Sequence, residues 1–108
     1  MNWINLINEQ QLSEIKELSK LKAQIIFKHS TRCSISSMAK NRLERSEQPE
    51  EANFYHLDLI KYRNISDKIT EDFSVHHESP QILLIKNGEC IYTESHSGIQ
   101  MDELIEQL

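Results

Sequence analysis

The sequence predicts a mixed α/β domain, a four-stranded sheet flanked by helices on both faces. Two observations carry this. The β-branched and aromatic runs "AQIIFKH" and "ANFYHLDLI" are separated by a stretch of helical spacing, so the strands they form should lie parallel. Further on, "SPQILLIKNGECIYTE" holds two apolar runs joined by Asn87-Gly88, which supplies the positive-φ residues of a two-residue hairpin turn. The hairpin strands are antiparallel to each other, so the sheet has to be mixed.

Each element has its own local reason. "NEQQLSEIKELSKLK" places Leu12, Ile15, Leu18 and Leu21 on one helical face. Asn8 is its cap, and Gln11 three residues later completes a capping-box pattern. "WINL" ahead of it is a short apolar lead-in with strand character, outside the four strands. Ala23 to His29 reads as a buried strand that His29 closes. "SISSMAKNRLERSEQ" is a helix starting within a residue or so of Cys33. Met38, Ala39 and Leu43 face inward, Arg42 and Arg45 outward, and the helix ends before Pro49. In the next strand Phe54, His56 and Asp58 alternate against Tyr55, Leu57 and Leu59. "RNISDKITEDFSV" is a helix with Ile65, Ile69 and Phe73 on one face. "SGIQMDELIEQL" closes the chain as a helix with Ile99, Leu104 and Leu108 inward.

The totals fit a single domain over 1–108. Composition is that of a globular protein, 38% hydrophobic and 27% charged, and two glycines and two prolines leave little for flexible linkers. A formal net charge of -5 argues against a phosphate backbone as partner. No apolar run approaches membrane-spanning length, and no charged-then-apolar leader opens the chain, so the expected compartment is the cytoplasm. Two cysteines, Cys33 and Cys90, are too few for a secreted disulfide framework, and in a reducing cytosol both should be thiols.

Cys33 stands where a strand gives way to a helix. The first N–H groups of a helix have no internal partner, and that end carries a partial positive charge. A cysteine there has its thiolate stabilised, and the thiolate is the nucleophile. Arg32 beside it adds a fixed positive charge. A free cysteine is also a common core filler, but the polar neighbours of Cys33 argue against that. Ser36 occupies the place where a dithiol oxidoreductase carries its second cysteine. Cys33 can therefore attack a mixed disulfide, but an external thiol has to resolve the adduct.

The order strand, Cys-x-x-Ser turn, helix, strand, helix, then Ser79-Pro80 opening a hairpin resembles a thioredoxin-like fold with an extra N-terminal helix. More narrowly, "FKHSTRCSISSMA" with "SPQILLIKNGE" resembles the YtxJ family of monothiol bacilliredoxins, over nearly the whole chain. The resemblance implies a cis Pro80 beside the reactive cysteine and removal of bacillithiol from protein mixed disulfides. It also implies bacillithiolated proteins and a low-molecular-weight thiol as partners, with another redoxin as a further one. No resident cofactor is expected, since bacillithiol is a co-substrate. Thr31, Arg32, Ser79 and Pro80 would shape the approach to the thiol, with Arg32 meeting the malate carboxylates of bacillithiol. Ser36 would donate to the Cys33 sulfur or serve only as a helix-start residue.

The remaining residues read more plainly. Cys90 lies in an apolar strand segment and is expected to be a buried, inert thiol. His76, His77 and Glu78, with Cys33 as a fourth group, match no strong zinc spacing, so no metal is expected. A second reading is a redox-inactive thioredoxin-like binding or regulatory module whose Cys33 is only a thiolation site. A thiol peroxidase is a third.

Overall fold

In the computed structural model, which describes residues 1–108, the chain opens with β1 (Trp3–Asn5), α1 (Gln10–Leu18), β2 (Ala23–His29) and α2 (Ser34–Glu44). It continues through β3 (Ala52–Asp58), α3 (Arg63–Phe73), β4 (Gln81–Lys86) and β5 (Glu89–Ser95), then a 3₁₀ turn at His96–Gly98 and α4 (Met101–Glu106). The sheet order is β1-β3-β2-β4-β5. β2 runs parallel to β3, with Ile26 opposite Tyr55, and antiparallel to β4, with Ile26 opposite Leu83. β4 and β5 form the hairpin, whose turn residues Asn87 and Gly88 have φ of 52° and 78°.

Alternation along the strands builds two cores, one on each face. Ile25, Phe27, Phe54, Ile82 and Leu84 meet Ala39 and Leu43 of α2 and Met101 and Leu104 of α4. Ile26, Tyr55, Leu57, Leu83 and Ile85 meet Leu12 and Ile15 of α1 and Ile65, Ile69 and Phe73 of α3. β2 lies at the centre and all seven of its residues are buried. Its near-continuous apolar run is that of a strand covered on both faces.

The capping box at the start of α1 is formed in both directions. The Gln11 N–H donates to Asn8 Oδ1 at 3.0 Å, and the Asn8 N–H donates to Gln11 Oε1 at 3.2 Å. The far end of α1 holds the hairpin turn. Ser19 Oγ accepts the Gly88 N–H at 2.8 Å, and the Ser19 carbonyl accepts the Asn87 N–H at 3.0 Å.

Three sequence expectations need correction. The sheet has five strands, because Trp3, Ile4 and Asn5 pair in parallel with Phe54, Tyr55 and His56. The inward stripe of α1 is Leu12, Ile15 and then Ser19, so Leu18 is 43% exposed and Leu21, beyond the helix end, 89% exposed. In α2 the inward stripe is Ser36, Ala39 and Leu43. Met38 lies on the opposite face and is 61% exposed.

The contrast between Leu104 and Leu21 is open to direct test. Leu104→Ala should cost about 2–5 kcal/mol in urea denaturation, as deletion of a fully buried leucine side chain does. Leu21→Ala should stay within about 0.5 kcal/mol of the unsubstituted protein. Comparable losses at the two positions would contradict the packing.

Candidate functional site

Cys33 is the residue immediately before α2, in extended backbone with φ −112° and ψ 119°, and is partly exposed. Its carbonyl accepts the Ser37 N–H at 3.1 Å, and its own N–H donates to the Ser30 carbonyl at 3.2 Å. The thiol caps none of the first-turn N–H groups. The positive end of α2 and the sulfur therefore share one end of the helix, with the thiol unengaged by it. Thr31 and Arg32 are exposed beside it, and Arg32 has no carboxylate partner.

Ser36 is fully buried, and its hydroxyl is used beneath the helix and not at the sulfur. Ser36 Oγ lies 2.7 Å from His29 Nδ1 and accepts the Ser30 N–H at 3.0 Å. The donation to Cys33 expected from the sequence gives way to this pair of bonds, because Ser36 points to the end of β2.

His29 belongs to a ring cluster on the α2 side of the sheet. It stacks on Phe27 at 5.8 Å between centroids and lies 5.2 Å from His56. Trp3 of β1 meets His56 edge-on at 5.8 Å, and its Nε1–H donates to Glu44 of α2 at 2.7 Å. Burial pushes both imidazoles below the usual histidine range. Lys40 pushes the same way, and Asp58 and Glu44 oppose it. His56 Nε2 is buried and has no partner.

The Ser79–Pro80 peptide bond is cis and Pro80 is buried. Pro80 lies one residue beyond the Lys28–Gln81 pair, at the level of His29. Its carbonyl accepts the His96 N–H at 3.2 Å. Ser79 Oγ is buried without a partner. Two residues that the sequence did not single out hold the preceding loop. Gln81 donates from Nε2 to the His76 carbonyl at 2.9 Å and accepts the Glu78 N–H at 3.3 Å. Lys28, with no exposed surface, places Nζ 3.2 Å from His77 Nδ1, and burial lowers its pKa to about 8. The one signal for Lys28 was a lysine inside a strand that reads as buried.

Cys90 is partly exposed, not buried, because β5 is an edge strand; its thiol donates to the Tyr92 carbonyl at 3.4 Å. Burial still pushes its pKa up. It pairs with Ile85, which pairs with Gln24, whereas Cys33 lies beyond His29. The five steps from Gln24 to His29 alone span about 16 Å, and disulfide formation needs Cα atoms within roughly 7 Å. The two cysteines stand at opposite ends of the sheet. A cleft lined by Ser19, Leu21, Glu51, Lys86 and Asn87 is also at the hairpin end. No three His, Cys, Asp or Glu side chains gather as a metal-holding group, and His77 is turned to Lys28. No helix is long and apolar enough to cross a membrane.

A five-stranded mixed sheet between two helical layers, with a cysteine before α2 and a cis-proline before β4, is a thioredoxin fold. A solved protein described as a proposed oxidoreductase with a thioredoxin fold superposes with a TM-score of 0.83 at 28% identity, covering 95% of this chain and 90% of that one. Thioredoxin from Schistosoma mansoni gives 0.75 at 23% identity, covering 99% and 95%. That from Malassezia sympodialis gives 0.76 at 18% identity, covering 98% and 87%. The family model for monothiol bacilliredoxin BrxC matches residues 4–104, and the chain belongs to that family. Its function is therefore thiol redox chemistry with thiol-bearing proteins as partners.

The histidines give stability a pH dependence. An unfolded histidine takes up its proton near pH 6.5, and the fold holds His29, His56 and His77 below their usual value. As the pH falls from about 6.5 towards the folded values, the unfolded chain binds more protons, so stability is whole above that window and lost through it. The urea midpoint should be lower at pH 5.5 than at pH 7.5, and His56→Phe should narrow the gap. Equal midpoints at the two pH values would show that burial does not hold these rings neutral.

Proposed function

We propose that the protein removes bacillithiol from protein mixed disulfides by monothiol exchange at Cys33. The observation that carries this reading is a thiol at a helix N-terminus with no second thiol in reach. Ser36 stands where a dithiol enzyme has its resolving cysteine, and Cys90 is at the far end of the sheet. The Cys33 thiolate attacks the bacillithiol sulfur of the mixed disulfide. A new S–S bond forms, the old one breaks, and the client leaves as a thiolate that takes a proton from water. Free bacillithiol, as its thiolate, then attacks the bound bacillithiol sulfur. Bacillithiol disulfide departs and the Cys33 thiolate is restored. The client sulfur is reduced, the one free bacillithiol is oxidised, and the bacillithiol carried over from the mixed disulfide stays at the disulfide level, so no resident cofactor enters the exchange.

Arg32, exposed and without a carboxylate partner, is the cation that pairs with the bacillithiol carboxylates. Thr31, Ser79 and Pro80 border the client's approach. Ser36 acts here by holding the turn, not by touching the sulfur. A reducing cytoplasm is the compartment this chemistry requires.

Mass spectrometry after exposure to bacillithiol disulfide tests the reading. The unsubstituted protein and Cys90→Ser should each gain one bacillithiol, stable until free bacillithiol is added, and Cys33→Ser should gain none. An adduct on Cys90, or one that the unsubstituted protein expels unaided, would overturn monothiol exchange. Failure of Cys33 to accept the thiol would leave a binding module.

A further inference from the structure

We propose that His29 is a positioning residue for Cys33, acting through the buried His29–Ser36 bond that clasps the base of the Cys33 turn. The role rests on Cys33 being the reactive thiol. Residues 29 to 36 leave β2, turn through Cys33 and enter α2. Ser36 Oγ closes this segment on itself, 2.7 Å from His29 Nδ1 and 3.0 Å from the Ser30 N–H that it accepts.

Ser36 Oγ has one hydrogen to give and two lone pairs, one of which accepts from the Ser30 N–H, so the direction of the bond to Nδ1 follows the His29 tautomer. Burial and Lys40 favour neutral His29, against the carboxylates of Asp58 and Glu44. With its proton on Nε2, neutral His29 accepts the Ser36 hydroxyl hydrogen at Nδ1, and with its proton on Nδ1 it donates to Ser36 Oγ. The hydroxyl then has both of its bonds pointing to the end of β2 and keeps the first turn of α2 seated there. The ring itself cannot swing away, because Phe27 stacks on one side and His56 lies against it. β2 is the central strand with every residue buried, so the clasp ties the thiol's turn to the middle of the sheet. Without it, the Cys33 turn keeps its own backbone bonds to Ser30 and Ser37 but loses its side-chain tie to β2, and the sulfur's placement at the helix N-terminus loosens.

The test is the rate of iodoacetamide alkylation at Cys33 at pH 7.5, in a Cys90→Ser background. His29→Leu should slow it by about tenfold, the weight of one buried hydrogen bond. Ser36→Ala, which also frees the Ser30 N–H, should slow it at least as much, and the double variant no more than Ser36→Ala alone, since His29→Leu removes a link that Ser36→Ala has already broken. His29→Asn, whose side-chain carbonyl keeps an acceptor at the Nδ1 position, should recover most of the rate. A His29→Leu rate equal to that of the parent, losses that add in the double variant, or no recovery with Asn would each overturn the role. Thermal melts identify a variant that has not folded, in which case the Asn and Ser36→Ala comparison decides. Alkylation does not depend on bacillithiol, so a parent that refuses bacillithiol but shows this pattern would end the exchange reading and keep the clasp.

Discussion

β2 is covered on both faces along its whole length, so each polar side chain on it must find a partner inside the protein. It carries three. Gln24 accepts the Tyr55 hydroxyl at 2.7 Å and the Asn53 amide at 3.2 Å, locking β2 to β3. Lys28 reaches the Ser66 carbonyl, Thr70 and His77, and so connects the strand to α3 and the loop before Pro80. His29 reaches Ser36 on α2. The need to satisfy these groups thus fixes the two halves of the site, the Cys33 turn and the Pro80 loop, to one buried strand. Neighbouring residues of that strand do it, pointing to opposite faces as alternation requires.

This arrangement explains how a surface thiol can be both open and well placed. Cys33 sits beside the exposed Thr31 and Arg32, where a folded partner protein can approach. Its backbone is nevertheless held by Ser30 and Ser37, and the base of its turn by Ser36. The hairpin end of the sheet is anchored separately through Ser19. Cys90 belongs to that second end, which makes it a structural neighbour of the turn region of the hairpin and no partner for Cys33.

Features set by local chemistry were legible in the sequence. The Asn8–Gln11 capping box, the Asn87-Gly88 turn and the start of α2 at Cys33 each follow from a few adjacent residues. Features that depend on distant pairing were not. Trp3–Asn5 showed strand character, but its place as a fifth strand of the sheet depends on the free edge that β3 offers it. Leu18 and Leu21 fit the helical spacing, but α1 ends at Leu18, and Ser19 takes the inward place because the hairpin turn needs its hydroxyl. In the site, Cys33, Ser36 and Pro80 were marked by their positions in a pattern. The roles of His29, His77 and Gln81 were hidden, since each is defined by a partner on another element. A serine facing inward at the third residue of α2 was the one available hint of the His29 bond.

The central claim is that the fold makes Cys33, and not Cys90, the working thiol. Competitive labelling of the folded protein with iodoacetamide at pH 7, followed by peptide mass spectrometry, measures it directly. Helix-terminal placement predicts that Cys33 is modified roughly tenfold or more faster than Cys90, whose thiol is held protonated by burial. Equal rates, or faster labelling of Cys90, would contradict the account.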